Sequence, residues 1–233
     1  AEHYDVVLDI QGLMRSAMVS RWAGVPATGY SWGTAREPIA SLAYARKLDL
    51  PASLGAVRRY RMAAAEVLGY EIDPESPVFG LQANAEPSVK PAGPYAALSR
   101  DEKLWPEEHW THLGRKLAGA GLRSVLFWGS DVERERVERL VRTIPGAEVA
   151  PRTTLATTAA TLARAECVVG VDTGLAHLGA ALGRPSVGIF VSTPTETLKL
   201  VGDGPVRSLG GIGQCPDVDE VWKALVAVQG ERL

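Results

Sequence analysis

A chain of 233 residues that is 46% hydrophobic suffices for one large or two small domains with true cores, and its net charge of -2 points by itself to no partner. Two cysteines, Cys167 in an apolar run and Cys215 before Pro216, form neither a disulfide framework nor a metal-ligand spacing, which fits a reducing, cytosolic setting. The opening residues Ala1-Glu2-His3-Tyr4-Asp5 carry no signal-peptide pattern and no apolar run is long enough to span a bilayer, so any membrane contact is expected to be peripheral.

Strand patterns alternate with amphipathic helical ones, which predicts an α/β architecture of parallel sheets covered by helices. The first block (1–69) has a strand near 4–10, a helix over 13–23, an extended piece at 26–30, and helices over 38–47 and 56–68. With so few strands for its helices it reads as an incomplete doubly wound domain, lacking β-α units that would precede residue 1. Between 70 and 94 the periodicity dissolves around Pro74, Pro77, Pro87, Pro91 and Pro94, which reads as a linker. The second block (95–233) is regular. Strands at 95–98, 124–128, 147–150, 167–171 and 186–191 interleave with helices over 106–120, 132–142, 155–165 and 175–182, and a last helix covers 218–228. Five strands of this kind make a doubly wound domain whose ligands bind beyond the carboxyl ends of the strands.

The stretch Cys167-Val-Val-Gly-Val-Asp-Thr-Gly-Leu-Ala-His177 is the most informative, because a buried strand breaks there into a helix. Asp172 and Thr173 are favoured N-cap types, Gly174 lets a ligand approach the backbone, and His177 lies one turn on. A helix N-terminus presents free amides and about half a positive charge, which suits a diphosphate. Capping alone is the commoner role of an isolated Asp-Thr-Gly. The aspartic-protease meaning of the triplet is excluded, since there is one copy and it lies between a parallel-type strand and a helix. The strand-end rule gathers further polar residues on the same edge: Ser99, Arg100 and Lys103 after the first strand of the block, and Ser130, Asp131 and Glu133 after the second. Lys103 can hold a phosphate, Ser99 can donate a hydroxyl, and Glu133 can accept from a ribose hydroxyl, although an acid at a helix start also serves the dipole.

Charge is uneven. Arg15, Arg21, Arg36, Arg46, Lys47, Arg58, Arg59 and Arg61 face only Glu37 and Asp49 across 15–61, a local excess of +6 that attracts an anionic partner. Asp217-Val-Asp219 has a spacing that metal-dependent glycosyltransferases use, but it opens the last helix and reads as a cap. Trp105, Trp110, Trp128 and Trp222 read as packing rather than as a stacking platform. A dehydrogenase is disfavoured, because no Gly-x-Gly-x-x-Gly follows a strand.

These residues resemble a family. Ser99-Arg-Asp-Glu-Lys-Leu-Trp-Pro-Glu-Glu-His-Trp110, Phe127-Trp-Gly129 and Val171-Asp-Thr-Gly-Leu-Ala-His177 look like the ADP-heptose:lipopolysaccharide heptosyltransferases of glycosyltransferase family 9, as do Tyr4-Asp-Val-Val-Leu-Asp-Ile-Gln-Gly-Leu13 and Thr34-Ala-Arg-Glu-Pro-Ile-Ala-Ser-Leu-Ala-Tyr44. The resemblance implies a GT-B fold, two Rossmann-like domains facing a cleft. It implies an inverting transfer, with no cofactor or metal, of L-glycero-D-manno-heptose from ADP-heptose to the Kdo of Kdo2-lipid A. Arg36-Glu37-Pro38 points to the members that add the first heptose; a transferase adding the second, or a nucleotide-sugar-binding module without catalysis, is the alternative. Donor-binding roles carry over onto Ser99, Lys103, Glu133, Asp172, Thr173, Gly174 and His177, with Lys103 neutralising the leaving ADP. Acceptor-binding roles fall to Arg15, Arg36 and Arg58, facing the anionic acceptor at the cytoplasmic surface of the inner membrane; no nucleic acid is implied. The resemblance departs in two places. The family's base, an aspartate in a Gly-Asp element, lies ahead of residue 1, and neither Asp5 nor Asp9 matches it. The join at Ala97-Leu98-Ser99 is also shorter than in the family.

Overall fold

Two parallel sheets organise the chain, one in each of two units, Ala1–Pro77 and Val78–Leu233. The computed structural model describes residues 3–90, 95–99 and 105–230.

In the first unit, β1 (Val7–Leu8), β2 (Ala27–Tyr30) and β3 (Arg46–Leu48) form a three-stranded parallel sheet in that order. The helices α1 (Met14–Arg21) and α2 (Ala56–Leu68) accompany it. The expected strand over 4–10 shrinks to Val7–Leu8, because Asp9 turns its carboxylate onto the Gln11 amide at 2.8 Å and ends the strand. The expected helix over 38–47 is a correction. Pro38–Ala43 is a 3-10 helix, and the chain then extends into β3, which buries Leu48 while its two cations face solvent. Apolar residues lie on both faces, Ala17, Ala27, Ala40 and Tyr44 on one and Tyr30, Leu48, Leu50 and Ala63 on the other. Arg59 joins the second group. It is buried, stacks over the Tyr30 ring at 3.6 Å, and donates to the Leu50 carbonyl at 2.9 Å and to the Thr34 carbonyl.

The second unit holds β4 (Tyr95–Ser99), β5 (Arg123–Phe127), β6 (Glu148–Val149), β7 (Cys167–Val171), β8 (Ser186–Phe190) and β9 (Val206–Gly210). Every pairing is parallel, in the order β6-β5-β4-β7-β8-β9. Six strands replace the expected five, since β9 sits in a glycine-rich stretch that reads as loop. Numbered within the unit, the order is the doubly wound 3-2-1-4-5-6, with its reversal between β4 and β7. The helices are α3 (Glu107–Gly119), α4 (Asp131–Val141), α5 (Leu155–Ala163), α6 (Gly174–Ala181), the single turn α7 (Thr195–Leu198) and α8 (Val218–Gln229).

Alternation along the strands sorts the core into two layers. Leu98, Leu126, Cys167, Val169, Val171, Val187 and Ile189 pack with Trp110 and Leu117 of α3 and with Val221 and Leu225 of α8. Val125, Phe127 and Val168 pack on the other face with Leu162 of α5, and with the half-buried Leu175 and Leu178 of α6. All five residues of β7 are buried, and each buried valine contributes about 1.5–3 kcal/mol. Gly179 lets α6 close on this strand, because a Cβ there would meet Val168 Cγ2 at 2.7 Å. Trp105 and Trp110 are core residues as expected, edge to face at 4.9 Å, and Trp105 Nε1 donates to the Pro216 carbonyl at 2.7 Å.

Residues 78–90, which read as linker, run along this second unit. The amides of Phe79 and Gly80 donate to the Asp203 carboxylate at 2.9 and 3.1 Å, and the Ser88 amide donates to Thr161 Oγ1 at 2.9 Å. No helix among the described residues is long and apolar enough to cross a membrane.

Candidate functional site

At the carboxyl ends of β5, β6 and β7 the sheet opens into a cavity of about 800 Å³. Its floor and walls are largely apolar, with Phe127, Trp128, Ala150, Leu155, Leu178 and Ala181 among the lining residues, and Phe79 and Leu81 of the 78–90 segment supply part of the wall. Polar side chains enter at Glu133, Arg152, Thr153, Thr158, Thr173 and His177, and Gly174 brings its backbone to the same wall. Such a lining suits an aromatic ring held by contact and oriented by few hydrogen bonds.

Helix α6 brings its first turn to this cavity. Most helices nearby cap themselves: Ser130 accepts from the Glu133 amide, Thr154 from the Thr157 amide and Asp217 from the Glu220 amide. At α6 the N-cap residue is Thr173, extended at φ −136° and ψ 158°, and its side chain makes no capping bond. The Ala176 amide turns back on the Thr173 carbonyl at 3.2 Å, and the Gly174 and Leu175 amides ahead of it receive no side-chain cap from Thr173, which is how a helix start offers donors to an anion. Gly174 leaves open space where a Cβ would stand, so that a phosphate can come against the backbone.

Asp172 precedes the cap and does not itself cap. Its amide continues the ladder to the Ile189 carbonyl at 3.1 Å, its Oδ2 accepts from Thr193 Oγ1 at 2.6 Å, and its Oδ1 lies 3.6 Å from His177 Nε2. The imidazole is more exposed than the carboxylate and reaches the cavity lining.

Glu133 closes a capping box at the start of α4, where its Oε2 accepts from the Gly129 amide at 2.5 Å and the Ser130 amide at 3.0 Å. Both bonds use one oxygen, so the other stays available at the cavity wall. Trp128 packs against the core, as expected, and also lines the cavity. Its Nε1 donates to the Ala150 carbonyl at 2.6 Å, and the Arg134 and Arg152 guanidiniums lie 5.4 and 6.0 Å from the ring centre. Sequence reasoning also missed Arg152, Phe79 and Leu81, none of which has a motif of its own.

Of the predicted donor residues, Glu133, Thr173, Gly174 and His177 line one cavity, with Asp172 directly behind. Ser99 ends β4 in register with Gly170 of β7 and Phe127 of β5, at the sheet's reversal. Lys103 and Arg100 lie outside the described residues. Asp217 caps α8, as read from the sequence, and the structure adds that Asp219 pairs with Lys116 at 2.8 Å.

In the first unit the basic excess is partly consumed. Besides buried Arg59, Arg46 pairs with Glu66 at 3.2 Å, and Arg58, an expected acceptor contact, pairs with Glu75 at 2.5 Å. Arg15 and Arg36 are exposed and are brought near one another through Glu37, whose Oε2 accepts from the Met14 amide at 2.7 Å. Gly12, at φ +64°, allows this approach, since a Cβ there would stand 3.2 Å from the Arg36 nitrogen. The buried Asp9 accepts from the Tyr44 hydroxyl at 2.7 Å, and burial together with that bond pushes the phenol's pKa up.

Comparison with known proteins gives a consistent result. Residues 1–222 match the model of the family described as glycosyltransferase family 9 (heptosyltransferase). The chain is 43% identical over 199 residues to lipopolysaccharide heptosyltransferase 1 of Escherichia coli (strain K12), covering 83% of this chain and 62% of that relative. The chain thus spans about 62% of the length of that curated relative. It is also similar to solved structures of the E. coli heptosyltransferase WaaC. With ADP, the match has 35% identity and a TM-score of 0.79, covering 100% of this chain and 74% of the other. With ADP-2-deoxy-2-fluoro heptose the figures are 36% and 0.77, covering 95% and 71%.

Proposed function

The chain belongs to glycosyltransferase family 9, the heptosyltransferases, with their GT-B fold, and from that premise we propose that it takes part in moving L-glycero-D-manno-heptose from ADP-heptose to the Kdo of Kdo2-lipid A. The second unit would hold the donor. One observation carries this reading: an apolar cavity of about 800 Å³ that ends on the uncapped first turn of α6 and on Glu133. Adenine would sit against the apolar walls, Glu133 would accept from the ribose, and the amides of α6 would meet the diphosphate.

In an inverting transfer the acceptor hydroxyl attacks the anomeric carbon from the face opposite the diphosphate, and the bond from that carbon to the diphosphate oxygen breaks. The electron pair leaves on ADP, where the α6 amides, His177 and Lys103 would stabilise it without a metal. The hydroxyl proton passes to a carboxylate, a role to which no residue of this chain is assigned. Ser99 completes the proposed donor set at the β4 end. Arg15 and Arg36 would meet the anionic acceptor, and Arg58 would have to exchange Glu75 for it. The surface of these arginines fits peripheral attachment to the cytoplasmic face of the inner membrane.

The test is calorimetric titration of the chain with ADP and with ADP-heptose in the presence of a chelator, comparing Lys103→Ala and Asp172→Ala. Binding that persists with chelator and weakens in both variants is the expected result. A folded chain that binds neither ligand, or binds only with added divalent cation, would refute the donor site. Mass spectrometry of Kdo2-lipid A incubated with ADP-heptose then tests the acceptor, and modification only of an acceptor already carrying one heptose would point to the second transferase.

A further inference from the structure

We propose that Thr193 is a positioning residue of the donor site, acting through Asp172 to hold His177 toward the diphosphate. The inference rests on the nucleotide reading above. It starts from an electrostatic oddity. A carboxylate one residue ahead of an anion-binding helix N-terminus repels the anion, so Asp172 needs both oxygens turned to other partners.

The structure supplies the partners. Thr193 lies three residues beyond β8, in a loop held at both sides: the Gly213 amide donates to the Val191 carbonyl at 3.3 Å, and Thr195 Oγ1 donates to the Gly210 carbonyl at 2.6 Å. This fixes the Thr193 hydroxyl at the end of β8, beside Asp172 at the end of β7. The hydroxyl donates to Oδ2 at 2.6 Å, a short charge-assisted bond, and leaves Oδ1 facing His177 Nε2 at 3.6 Å. The side chain of Asp172 is 15% exposed and that of His177 39%, so the carboxylate is covered while the imidazole reaches the cavity. Without the hydroxyl the carboxylate is free to rotate toward the diphosphate. The imidazole then loses the neighbour that orients it. Serine keeps the donor, whereas valine keeps the shape and removes it.

Calorimetric titration of the chain with ADP and, by displacement, with adenosine tests this in Thr193→Val, Thr193→Ser, His177→Ala and the Thr193→Val/His177→Ala pair, with melting curves as a check on folding. Loss of one charge-assisted bond predicts about tenfold weaker ADP binding in Thr193→Val. Adenosine binding stays unchanged, Thr193→Ser restores ADP affinity, and Thr193→Val adds nothing in the His177→Ala background. Wild-type ADP affinity in Thr193→Val, an equal loss for ADP and adenosine, or additivity with His177→Ala would each overturn the role of Thr193. A wild-type chain that binds adenosine and ADP equally would overturn it too, and one that binds neither would overturn the nucleotide reading and this inference together.

Discussion

Replacing Glu133 by glutamine separates the capping task that the carboxylate performs from the ribose contact proposed for it. Its Oε2 accepts from the amides of Gly129 and Ser130 at 2.5 and 3.0 Å, which fixes the turn between β5 and α4. Those amides need an acceptor, so the glutamine oxygen must take the place of Oε2, and the amide nitrogen then faces the cavity. The cap survives, at a cost of about 0.3–1 kcal/mol for the lost charge at a helix N-terminus. The outward group changes from acceptor to donor. A hydrogen bond to a charged acceptor contributes about 1.5–3 kcal/mol, so the ribose contact is worth roughly tenfold to a hundredfold in affinity. Titration with ADP, 2′-deoxy-ADP and 3′-deoxy-ADP should therefore find one deoxy analogue weaker than ADP in the wild-type chain by that factor. In Glu133→Gln that difference should vanish while the melting temperature falls only slightly. If the wild type binds all three equally, or if the variant keeps the discrimination, Glu133 is a cap residue and nothing more.

Gly179→Ala should destabilise the second unit by up to about 2 kcal/mol, because overpacking costs about 1–3 kcal/mol against about 1 kcal/mol gained by removing a helical glycine. The new Cβ would stand 2.7, 2.9 and 3.0 Å from Val168 atoms in the sheet, and an unchanged urea midpoint would count against this. Asp203→Ala removes two amide contacts at 2.9 and 3.1 Å, each worth about 0.5–1.5 kcal/mol. It should raise protease cleavage within 78–90 and weaken ADP binding, since Phe79 and Leu81 are part of the cavity wall; equal cleavage rates would sink the idea. Burial pushes the Cys167 thiol up to about 12 while Cys215 is exposed, so one thiol should react with Ellman's reagent at pH 8 and two after denaturation. Because the folded pKa is raised above 9.0, the stability contributed by the neutral Cys167 thiol is complete below that pH and is lost as pH climbs through about 12.

Local pattern carried the second unit well. Cys167–Val171 and Glu107–Gly119 fall where valine runs and 3.6-residue spacing put them, and Thr173 and Gly174 of the Asp-Thr-Gly turn border the cavity. What stayed illegible depends on distant partners. β3 is two cations and a leucine, and it becomes a strand only because β2 offers it a ladder. β9 alternates Val206, Ser208 and Gly210 with Arg207 and Leu209, yet the glycines before it read as loop. Thr193 and Asp203 carry no motif, and their meaning comes from meeting residues 21 and over 120 positions away.

The strand order also sets when a binding site can exist during synthesis. β4, β5 and β6 can pair as they emerge, but β4 gains its other neighbour only when β7 arrives and Leu98 comes opposite Val169. The cavity needs α6 as well, and the Asp172 carboxylate gets its donor only once residues past β8 have left the ribosome. A contact closed across so many residues comes late and slowly. A nucleotide bound as proposed would therefore be no template for the early chain. It would act afterwards, holding closed the β4–β7 seam and slowing its opening, as a ligand that binds only the finished fold must.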